Sequence, residues 1–349
     1  MPGAVTRVLF ILKRREDFNP VKHNPVGLST GLYNSASYIV NMLNYKGVNA
    51  KLDVAIDNNC IDRLVTQFKP THVVVEAMWV TPAKFAELVP LHPTVKWIVR
   101  LHSETPFIAG EGMAMNWLGD YMTNKNILIA CNAPRMLEEV KMILKLKGKS
   151  EDKAIYLPNY YPQWYRNRAM IDRKSEYVNV ACFGAVRPLK NHLLQALAAL
   201  KFAGKIKRKL KFHINGGRQE MKGEPIMQNL KNLFLQIHSS GHELVIHEWE
   251  QREKFLNLCS SMDVGMQCSY SETFNIVAAD LVSQGVPIVC SEEVPWISSL
   301  FSAKPSSCDD MANSLLFAYK FPKLNLWYNR GNLKSYTNKS EKIWLEYFK

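Results

Sequence analysis

The groups in this chain best suited to chemistry are two carboxylates and a polar turn. Glu272 precedes a predicted helix and Asp280 lies inside it, with seven residues between them. The turn into this helix presents the backbone N–H groups of Thr273, Phe274 and Asn275. Backbone N–H groups at a helix start attract phosphates and other anions. An acid pair at this spacing is also typical of a solvated helix face, so the acids alone do not define a site.

A second polar turn carries two cations. Gly184 ends an apolar run that predicts a strand, and Arg187 and Lys190 follow it, just before a predicted helix over 192–201. Two cations at a strand-to-helix turn can neutralise a diphosphate, which carries roughly two charges. A surface arginine and lysine in an ordinary turn would give the same sequence.

One histidine ends another predicted strand. His102 closes the apolar run over 96–102, and parallel α/β sheets bind ligands at the carboxyl ends of their strands. An isolated histidine at such a place is also commonly satisfied by a neighbouring carbonyl group. Glu104 follows in the same loop and is a lesser candidate, because surface loops often carry an acid.

Short apolar runs alternate with helical stretches along the chain, which predicts parallel, doubly wound α/β sheets. The charged segment over 162–175 lacks periodicity, and the strand–loop–helix pattern restarts after it. We therefore expect domains over 1–165 and 176–325, followed by an aromatic and basic tail over 326–349. The predicted strands are 5–12, 50–54, 71–76, 96–102, 126–131, 154–158, 178–184, 210–215, 244–247, 263–268 and 288–290.

The composition is that of a globular protein with two ordinary domains. The chain has 349 residues, of which 47% are hydrophobic and 21% charged. Its seven cysteines are scattered and include no CxxC pair, which favours reduced core residues over disulfides or metal ligands. The first apolar run reads as a strand and not as a signal peptide, and no segment approaches the ~20 apolar residues of a membrane span. These features predict a cytoplasmic protein.

The charge balance is strongly basic, with a net charge of +13. Excess lysine and arginine favours polyanionic partners such as nucleic acid, acidic lipid headgroups or phosphorylated donors. The densest basic cluster covers 205–211. Most such runs are solvated loops, and the alternative is an arm that contacts phosphate.

The segment over 269–287 resembles the signature of retaining GT-B glycosyltransferases of the family 4 type. That signature has a strand, the pattern S-x-x-E-x-F, two acids with seven residues between them, and a helix that ends in G-x-P. The second acid here is Asp280, where the family usually has glutamate, so a shorter side chain must reach the same ligand group. The turn over 183–190 resembles the family's G-R-x-x-x-K-G phosphate clamp. It departs from that clamp because Arg187 does not directly follow the glycine and Asn191 replaces the second glycine.

The resemblance implies a GT-B architecture, in which two Rossmann-like domains face a central cleft and the C-terminal helix returns to the N-terminal domain. It implies an enzyme that moves a sugar from a nucleotide-sugar, which we expect to be a UDP-sugar, to a hydroxyl group. The anomeric configuration would be retained, and neither a metal ion nor a cofactor would be needed.

The resemblance also assigns roles to individual residues. Glu272 and His102 would be the catalytic residues, and Asp280 would bind the ribose of the nucleotide. The diphosphate would lie against the cations and the amides of the helix start, with the base beside Trp249. The implied donor-binding residues are Arg187, Lys190, Thr273, Phe274, Asn275, Asp280, Gly31, Gly184 and Trp249.

The basic balance suggests a polyanionic acceptor. The compact version of the fold resembles glycosyltransferases encoded by large phages that modify hydroxymethylated bases in DNA. A base in a duplex would be flipped into the cleft while lysine and arginine hold the backbone. A lipid-linked or cell-envelope glycan is an alternative acceptor, reached through peripheral contact with an anionic membrane. An alternative of another class is a non-catalytic nucleic-acid-binding protein with this fold, against which the presence of both acids and both cations argues.

Overall fold

The computed structural model describes residues 5–13, 31–166, 174–220 and 222–349. The sequence also predicts a polar, glycine-bearing loop over 24–31. Residues 24–30 of this loop lie outside the described residues, and Gly31 is the first residue of a helix. The chain divides into two compact units. Unit 1 contains residues 1–162 and 337–349, and unit 2 contains residues 163–336.

Unit 1 is built on a parallel sheet of six strands, in the order β2-β1-β3-β4-β5-β6. The strands are short apolar runs, and the central ones are buried along their length because helices cover both faces. The strands are β1 (Arg7–Lys13), β2 (Asn49–Ala55), β3 (His72–Glu76), β4 (Lys96–Leu101), β5 (Ile127–Cys131) and β6 (Ala154–Tyr156).

Helices connect these strands in the manner of a doubly wound fold. On one face of the sheet, Phe85 packs edge-on against Trp97 and Tyr121, with ring centroids 5.6 and 5.3 Å apart. The helices are α1 (Gly31–Tyr45), α2 (Cys60–Phe68), α3 (Pro82–Leu91), α4 (Thr105–Ile108), α5 (Ala114–Tyr121) and α6 (Pro134–Leu146).

Unit 2 repeats the architecture with a second parallel sheet of six strands, in the order β12-β11-β10-β7-β8-β9. Its core fills the space between the sheet and the helices on its faces. The strands are β7 (Tyr177–Ala181), β8 (Lys209–Asn215), β9 (Glu243–His247), β10 (Val264–Gln267), β11 (Ile288–Ser291) and β12 (Ser302–Ala303). The helices are α7 (His192–Lys205), α8 (Gly223–Gln236), α9 (Arg252–Ser260), α10 (Ile276–Ser283), α11 (Cys308–Lys320) and α12 (Pro322–Phe348).

Helix α10 is the most deeply buried connection of unit 2. Its residues from Ala278 to Ser283 are all buried, which explains why its sequence is apolar almost all round. Leu281 lies directly on strand β10 at Gly265, where an added Cβ would come within 2.6 Å of the leucine. A glycine at this position therefore permits the close approach of helix and sheet.

Helix α12 contributes to both units. In unit 2, the amide side chain of Asn325 accepts a hydrogen bond from the Ile288 N–H (2.9 Å) and donates one to the Ile288 carbonyl (2.8 Å). In unit 1, Thr337 donates to the Tyr161 carbonyl, and the Trp344 indole donates to the Pro158 carbonyl. The helix begins four residues before the predicted tail over 326–349.

The predicted α/β class with parallel sheets is confirmed. The predicted strands recur with small differences at their ends. The sequence does not predict helices α3, α4, α5, α6 and α9. None of the seven cysteines is disulfide-bonded, and five of them are buried. Among the described helices, none combines the length and the apolar character that crossing a membrane requires.

Candidate active site

The loop between β10 and α10 carries Glu272 and is hydrogen-bonded to α7 and to the loop that precedes it. The Tyr270 N–H donates to the Leu189 carbonyl (2.8 Å), and the Cys268 N–H donates to the Gln195 side chain (2.8 Å). The Asn191 side chain in turn donates to the Cys268 carbonyl (3.1 Å). Strands β10 and β7 are neighbours in the sheet, so both loops leave its carboxyl edge side by side.

These ties bring Glu272 and Lys190 together as an ion pair. Both side chains are largely shielded from solvent, with 9% and 13% of their surfaces exposed. Ser269 Oγ and Asn275 Nδ2 also lie within hydrogen-bond distance of the carboxylate, at 3.2 and 3.3 Å. All three donors contact Oε1, and within the described part of the chain Oε2 accepts no hydrogen bond.

Asn191 accounts for one departure from the phosphate-clamp pattern. Its backbone adopts a left-handed conformation (φ 57°), which glycine adopts freely and asparagine more readily than most residues. Its side chain also bonds the Cys268 and Pro305 carbonyls. Asparagine thus serves in the turn where the family has glycine. Gly184, at φ 114°, is in a conformation that needs glycine, and its N–H donates to Asn215 Oδ1 (3.0 Å).

Arg187 lies in the same loop and faces the loop that follows β8. Its guanidinium is 3.5 Å from the Glu220 carboxylate, which also accepts a hydrogen bond from Arg218 Nε (2.7 Å). The Arg218 guanidinium in turn lies 4.9 Å from the centre of the Trp249 ring. A cation therefore already covers part of the indole that was predicted to contact the base.

Asp280 lies in the middle of α10 and is 1% exposed. Arg252, the first residue of α9, holds its carboxylate through both terminal nitrogens, with Nη1 2.5 Å from Oδ2. The ribose contact predicted for Asp280 would therefore form beside an existing bidentate ion pair.

The predicted anion-binding amides precede the helix instead of beginning it. Thr273, Phe274 and Asn275 form the loop before α10, and the Asn275 side chain caps the helix by accepting from the Ala278 N–H (2.9 Å). The Phe274 ring contacts Tyr336, and its carbonyl accepts from the Trp296 indole (2.8 Å).

A buried histidine lies beside the two predicted phosphate ligands. His192, the first residue of α7, is 1% exposed, and neither of its ring nitrogens has a hydrogen-bond partner among the described residues. Burial, together with the charges of Lys190 and Arg187, lowers the pKa of His192 to about 3. The ring is therefore neutral at neutral pH, and the positive charge in this loop resides on the lysine and the arginine.

In unit 1, His102 belongs to a buried charge cluster that was not predicted from the sequence. Its ring contacts the Glu76 carboxylate, which lies 3.1 Å from Arg100 Nη1. Arg100 also donates to the Leu157 carbonyl (3.0 Å) and to Asn159 Oδ1 (2.8 Å). Burial raises the pKa of Glu76 but Arg100 brings it below its ordinary value, whereas burial lowers the pKa of His102.

The sequence holds a signal for this cluster. Glu76 and Arg100 are charged residues at the ends of apolar strands, and they are direct partners in the register of β3 and β4. A charged residue in a buried strand needs an opposite charge nearby. Once β3 and β4 are recognised as neighbours, their pairing follows.

The structure divides the candidate residues between the units. Gly31, His102 and the lesser candidate Glu104 lie in unit 1, and the other nine candidates lie in unit 2. Lys190 and Glu272 are in direct contact, whereas Arg187, Asp280 and Trp249 each contact a different charged residue that was not predicted. No group of three or more potential metal-ligating side chains occurs among the described residues.

The basic run over 205–211 joins α7 to β8 at the amino end of that strand. Several of its cations meet acids from other segments: Lys209 lies 2.5 Å from Glu176, and Lys211 lies 3.3 Å from Glu243. Arg208 donates to the Tyr319 hydroxyl (2.5 Å). The charge of this run is thus partly balanced within unit 2.

Comparison with known proteins finds chains of similar structure. No family model and no curated protein sequence matches the chain. A sucrose-phosphate synthase from Thermosynechococcus elongatus superposes with a TM-score of 0.69 at 13% identity, over 97% of each chain. A UDP-forming α,α-trehalose-phosphate synthase from Burkholderia vietnamiensis gives a TM-score of 0.67 at 11% identity, over 99% of this chain and 96% of its own. TarM from S. aureus gives 0.61 at 12% identity, over 83% of this chain and 58% of its own.

These similarities, together with the two parallel six-stranded sheets, show that the chain has the GT-B fold. The identities are too low for the relatives' activities to be transferred with the fold. What the site does must therefore be argued from its own residues.

Proposed function

We propose that the protein is a glycosyltransferase that moves a sugar from a UDP-sugar to a hydroxyl group, with retention of configuration and without a metal ion. The observation that carries this proposal is the shielded Lys190–Glu272 pair at the carboxyl edge of a GT-B sheet. In this pair, the proposed phosphate ligand Lys190 directly contacts the proposed sugar ligand Glu272.

The proposed reaction needs both charges. Breaking the bond between the sugar and the diphosphate leaves negative charge on a phosphate oxygen and positive charge on the sugar ring. Lys190 and Arg187 would neutralise the diphosphate, and Glu272 would bind sugar hydroxyls and stabilise the developing oxocarbenium ion. Oε2 of Glu272 is the atom suited to this contact, because the existing donors all contact Oε1.

His102 is the candidate catalytic residue of unit 1. In the resembled family, a histidine at this strand end points at the donor sugar near the reacting carbon. Glu76 lies against its ring and fixes its orientation, and its lowered pKa keeps it neutral at pH 7. A neutral imidazole can accept a hydrogen bond from a sugar hydroxyl, or donate one to it, without adding charge.

The donor assignment rests on the structural relatives. The trehalose-phosphate synthase is described as UDP-forming, and the TarM structure contains UDP. UDP-sugars are therefore the first donors to test. Asp280 and Trp249 are the proposed contacts to the ribose and the base, and each would share its ligand with the arginine that it already contacts.

The proposed acceptor is a hydroxymethylated base in DNA, which the net charge of +13 favours. A cell-envelope glycan is the second candidate. It is favoured by the likeness to TarM, whose structure contains α-GlcNAc-glycerol.

The test is mass spectrometry of nucleosides from hydroxymethylated DNA after incubation with the protein and a panel of UDP-sugars. The released nucleoside diphosphate is measured in the same samples, and NMR of the product sugar reports its anomeric configuration. Glu272→Ala is the inactivating variant. Glu292→Ala, which removes an exposed acid from the loop after β11, is the matched control.

A hexose mass gain that Glu272→Ala loses and Glu292→Ala retains supports the enzyme class, the donor and the acceptor together. Diphosphate release with another hydroxyl acceptor, but no change in DNA, supports the glycosyltransferase and rejects DNA. Transfer that survives in Glu272→Ala would reject the site itself.

A further inference from the structure

The two charges assigned to different parts of the donor neutralise each other in this structure. Lys190 is the phosphate ligand of the proposed function and Glu272 is the sugar ligand, yet they form an ion pair. Lys190 is also the only cation bonded to Glu272 among the described residues. A donor that takes the lysine onto its diphosphate therefore removes the carboxylate's counter-charge.

We infer that Glu272 makes the site discriminate between the intact nucleotide-sugar and the nucleoside diphosphate left after transfer. When the donor binds, sugar hydroxyls can donate to Glu272 and replace the lost lysine. When the diphosphate binds without a sugar, the carboxylate remains shielded, with 9% of its surface exposed, and has lost its cation. A shielded charge without a partner is costly, so the spent nucleotide binds less tightly and is released. This inference rests on the proposed function and adds a specificity role to Glu272.

The neighbouring pair lacks this property. If Arg187 moves from Glu220 onto a phosphate, Glu220 still accepts a hydrogen bond from Arg218 at 2.7 Å. Its carboxylate is never left without a cation. The penalty on the empty sugar site is therefore specific to the Lys190–Glu272 pair.

The polar residues around Glu272 strengthen the effect. Ser269 Oγ and Asn275 Nδ2 lie 3.2 and 3.3 Å from Oε1, and neither contact depends on the lysine. They hold the carboxylate in place, so that it cannot rotate into solvent to escape its neighbours. They are neutral and do not replace the positive charge.

Isothermal titration with UDP, GDP and ADP tests the inference on the full chain. Glu272→Gln removes the charge of the side chain but keeps its shape. We therefore expect this variant to bind the nucleoside diphosphate about tenfold more tightly than the unmodified protein does. Transfer should fall at the same time. Glu292→Gln, an exposed acid after β11, should leave the affinity unchanged.

A second variant separates this effect from a general loss of negative charge. In a Lys190→Met background the lysine cannot move onto the phosphate, so Glu272→Gln should give less than a twofold gain. A melting temperature for each variant shows that it is folded.

The outcomes separate the two proposals. If the unmodified protein binds a nucleoside diphosphate and Glu272→Gln binds it equally or more weakly, the discrimination is overturned and the proposed function stands. An equal gain with and without Lys190 also overturns it. If no nucleoside diphosphate binds any variant, both proposals are overturned.

Discussion

Each unit has a charge cluster at the carboxyl edge of its sheet, and the two clusters differ in depth and attachment. Glu76 and Arg100 are fully buried and lie on adjacent strands of unit 1, in direct register. Lys190 and Glu272 lie on loops of unit 2 and retain some exposure. Arg100 has further fixed partners, including the Leu157 carbonyl, Asn159 and the Trp344 ring, 5.3 Å from its guanidinium.

This difference indicates which charges can change partners. The backbone of a strand-borne pair is positioned by the sheet's own hydrogen bonds, so the two Cα atoms can move apart only if the sheet is disrupted. A loop-borne pair is positioned by side chains and by a few loop hydrogen bonds, and a ligand can compete with it. The unit 1 cluster therefore supports the fold and orients His102, whereas the unit 2 pair is the one that the proposed substrate can compete for.

The largest expected effect is on the fold of unit 1. Arg100→Met should lower the free energy of unfolding by about 3–5 kcal/mol, because Glu76 keeps a buried charge without its guanidinium. Lys190→Met should lower it by about 1–2 kcal/mol, since the shielded Glu272 carboxylate loses its cation but keeps two neutral donors and some exposure. Urea denaturation followed by circular dichroism measures both variants.

The double variant Glu76→Gln/Arg100→Met is the control for this prediction. It removes both charges, so its loss should be smaller than that of Arg100→Met alone. Equal losses for Arg100→Met and Lys190→Met would remove the distinction between the two clusters.

The next largest effect is on the proposed transfer reaction. Glu272→Gln should reduce transfer by about a hundredfold to a thousandfold, the range seen when one electrostatic contact to a transition state is removed. Its free energy of unfolding should change by less than about 1 kcal/mol. Initial rates with the active donor, measured beside a urea titration, give both numbers.

The corresponding change in unit 1 sharpens the contrast. Glu76→Gln should lose both stability and transfer, because Arg100 is left buried with an uncompensated charge and His102 loses the carboxylate that orients it. A Glu76→Gln variant as stable as the unmodified protein would show that the strand-borne pair is not structural.

A smaller effect concerns the pH dependence of stability in unit 2. The pKa of His192 falls from an ordinary value of 6.5 to about 3 on folding, so the unfolded chain takes up a proton first as the pH falls. Stability from this side chain is present above pH 6.5 and is lost progressively down to about pH 3. Between pH 7 and pH 5 the loss should be about 2 kcal/mol.

His192→Leu tests this contribution. The free energy of unfolding is measured by urea titration at pH 7 and at pH 5. Its fall between the two pH values should be about 2 kcal/mol smaller in the variant than in the unmodified protein. His72 and His213, whose pKa values burial also lowers to about 4, titrate in both proteins and cancel in the comparison. The same pH dependence in both proteins would mean that His192 is already protonated or is solvated when folded.

The sequence was sufficient for the sheets because their strands are short apolar runs between polar turns. It was less informative for helices such as α5, whose sequence AMNWLGDY has a glycine inside it and no capping side chain. The Lys190–Glu272 contact joins loops that are 82 residues apart in the chain. Each residue was recognisable by its own motif, but their mutual contact depends on the adjacency of β7 and β10.

For the same reason, sequence motifs do not predict the partners of the other candidate residues. Arg252 on Asp280 and Glu220 on Arg187 belong to segments without a recognised pattern. Conversely, Asn191 departs from the clamp in sequence, and its left-handed backbone explains why the clamp tolerates it. A motif specifies residue types, whereas the backbone conformation decides which substitutions preserve its shape.

The smallest expected effect concerns the basic run over 205–211. Strand β8 begins at Lys209 and ends at Asn215, so this run lies at the amino edge of the sheet, roughly 20 Å from its carboxyl edge. Lys209 pairs with Glu176 in an exposed ion pair, and such pairs contribute little to stability. Lys207→Ser/Lys209→Ser should therefore change transfer to any acceptor by less than twofold.

Initial rates at two salt concentrations check this prediction, with Lys190→Met as the variant that loses activity. A selective loss on DNA, with transfer to a small hydroxyl acceptor intact, would assign the run to acceptor binding and extend the functional surface of unit 2 to both edges of its sheet.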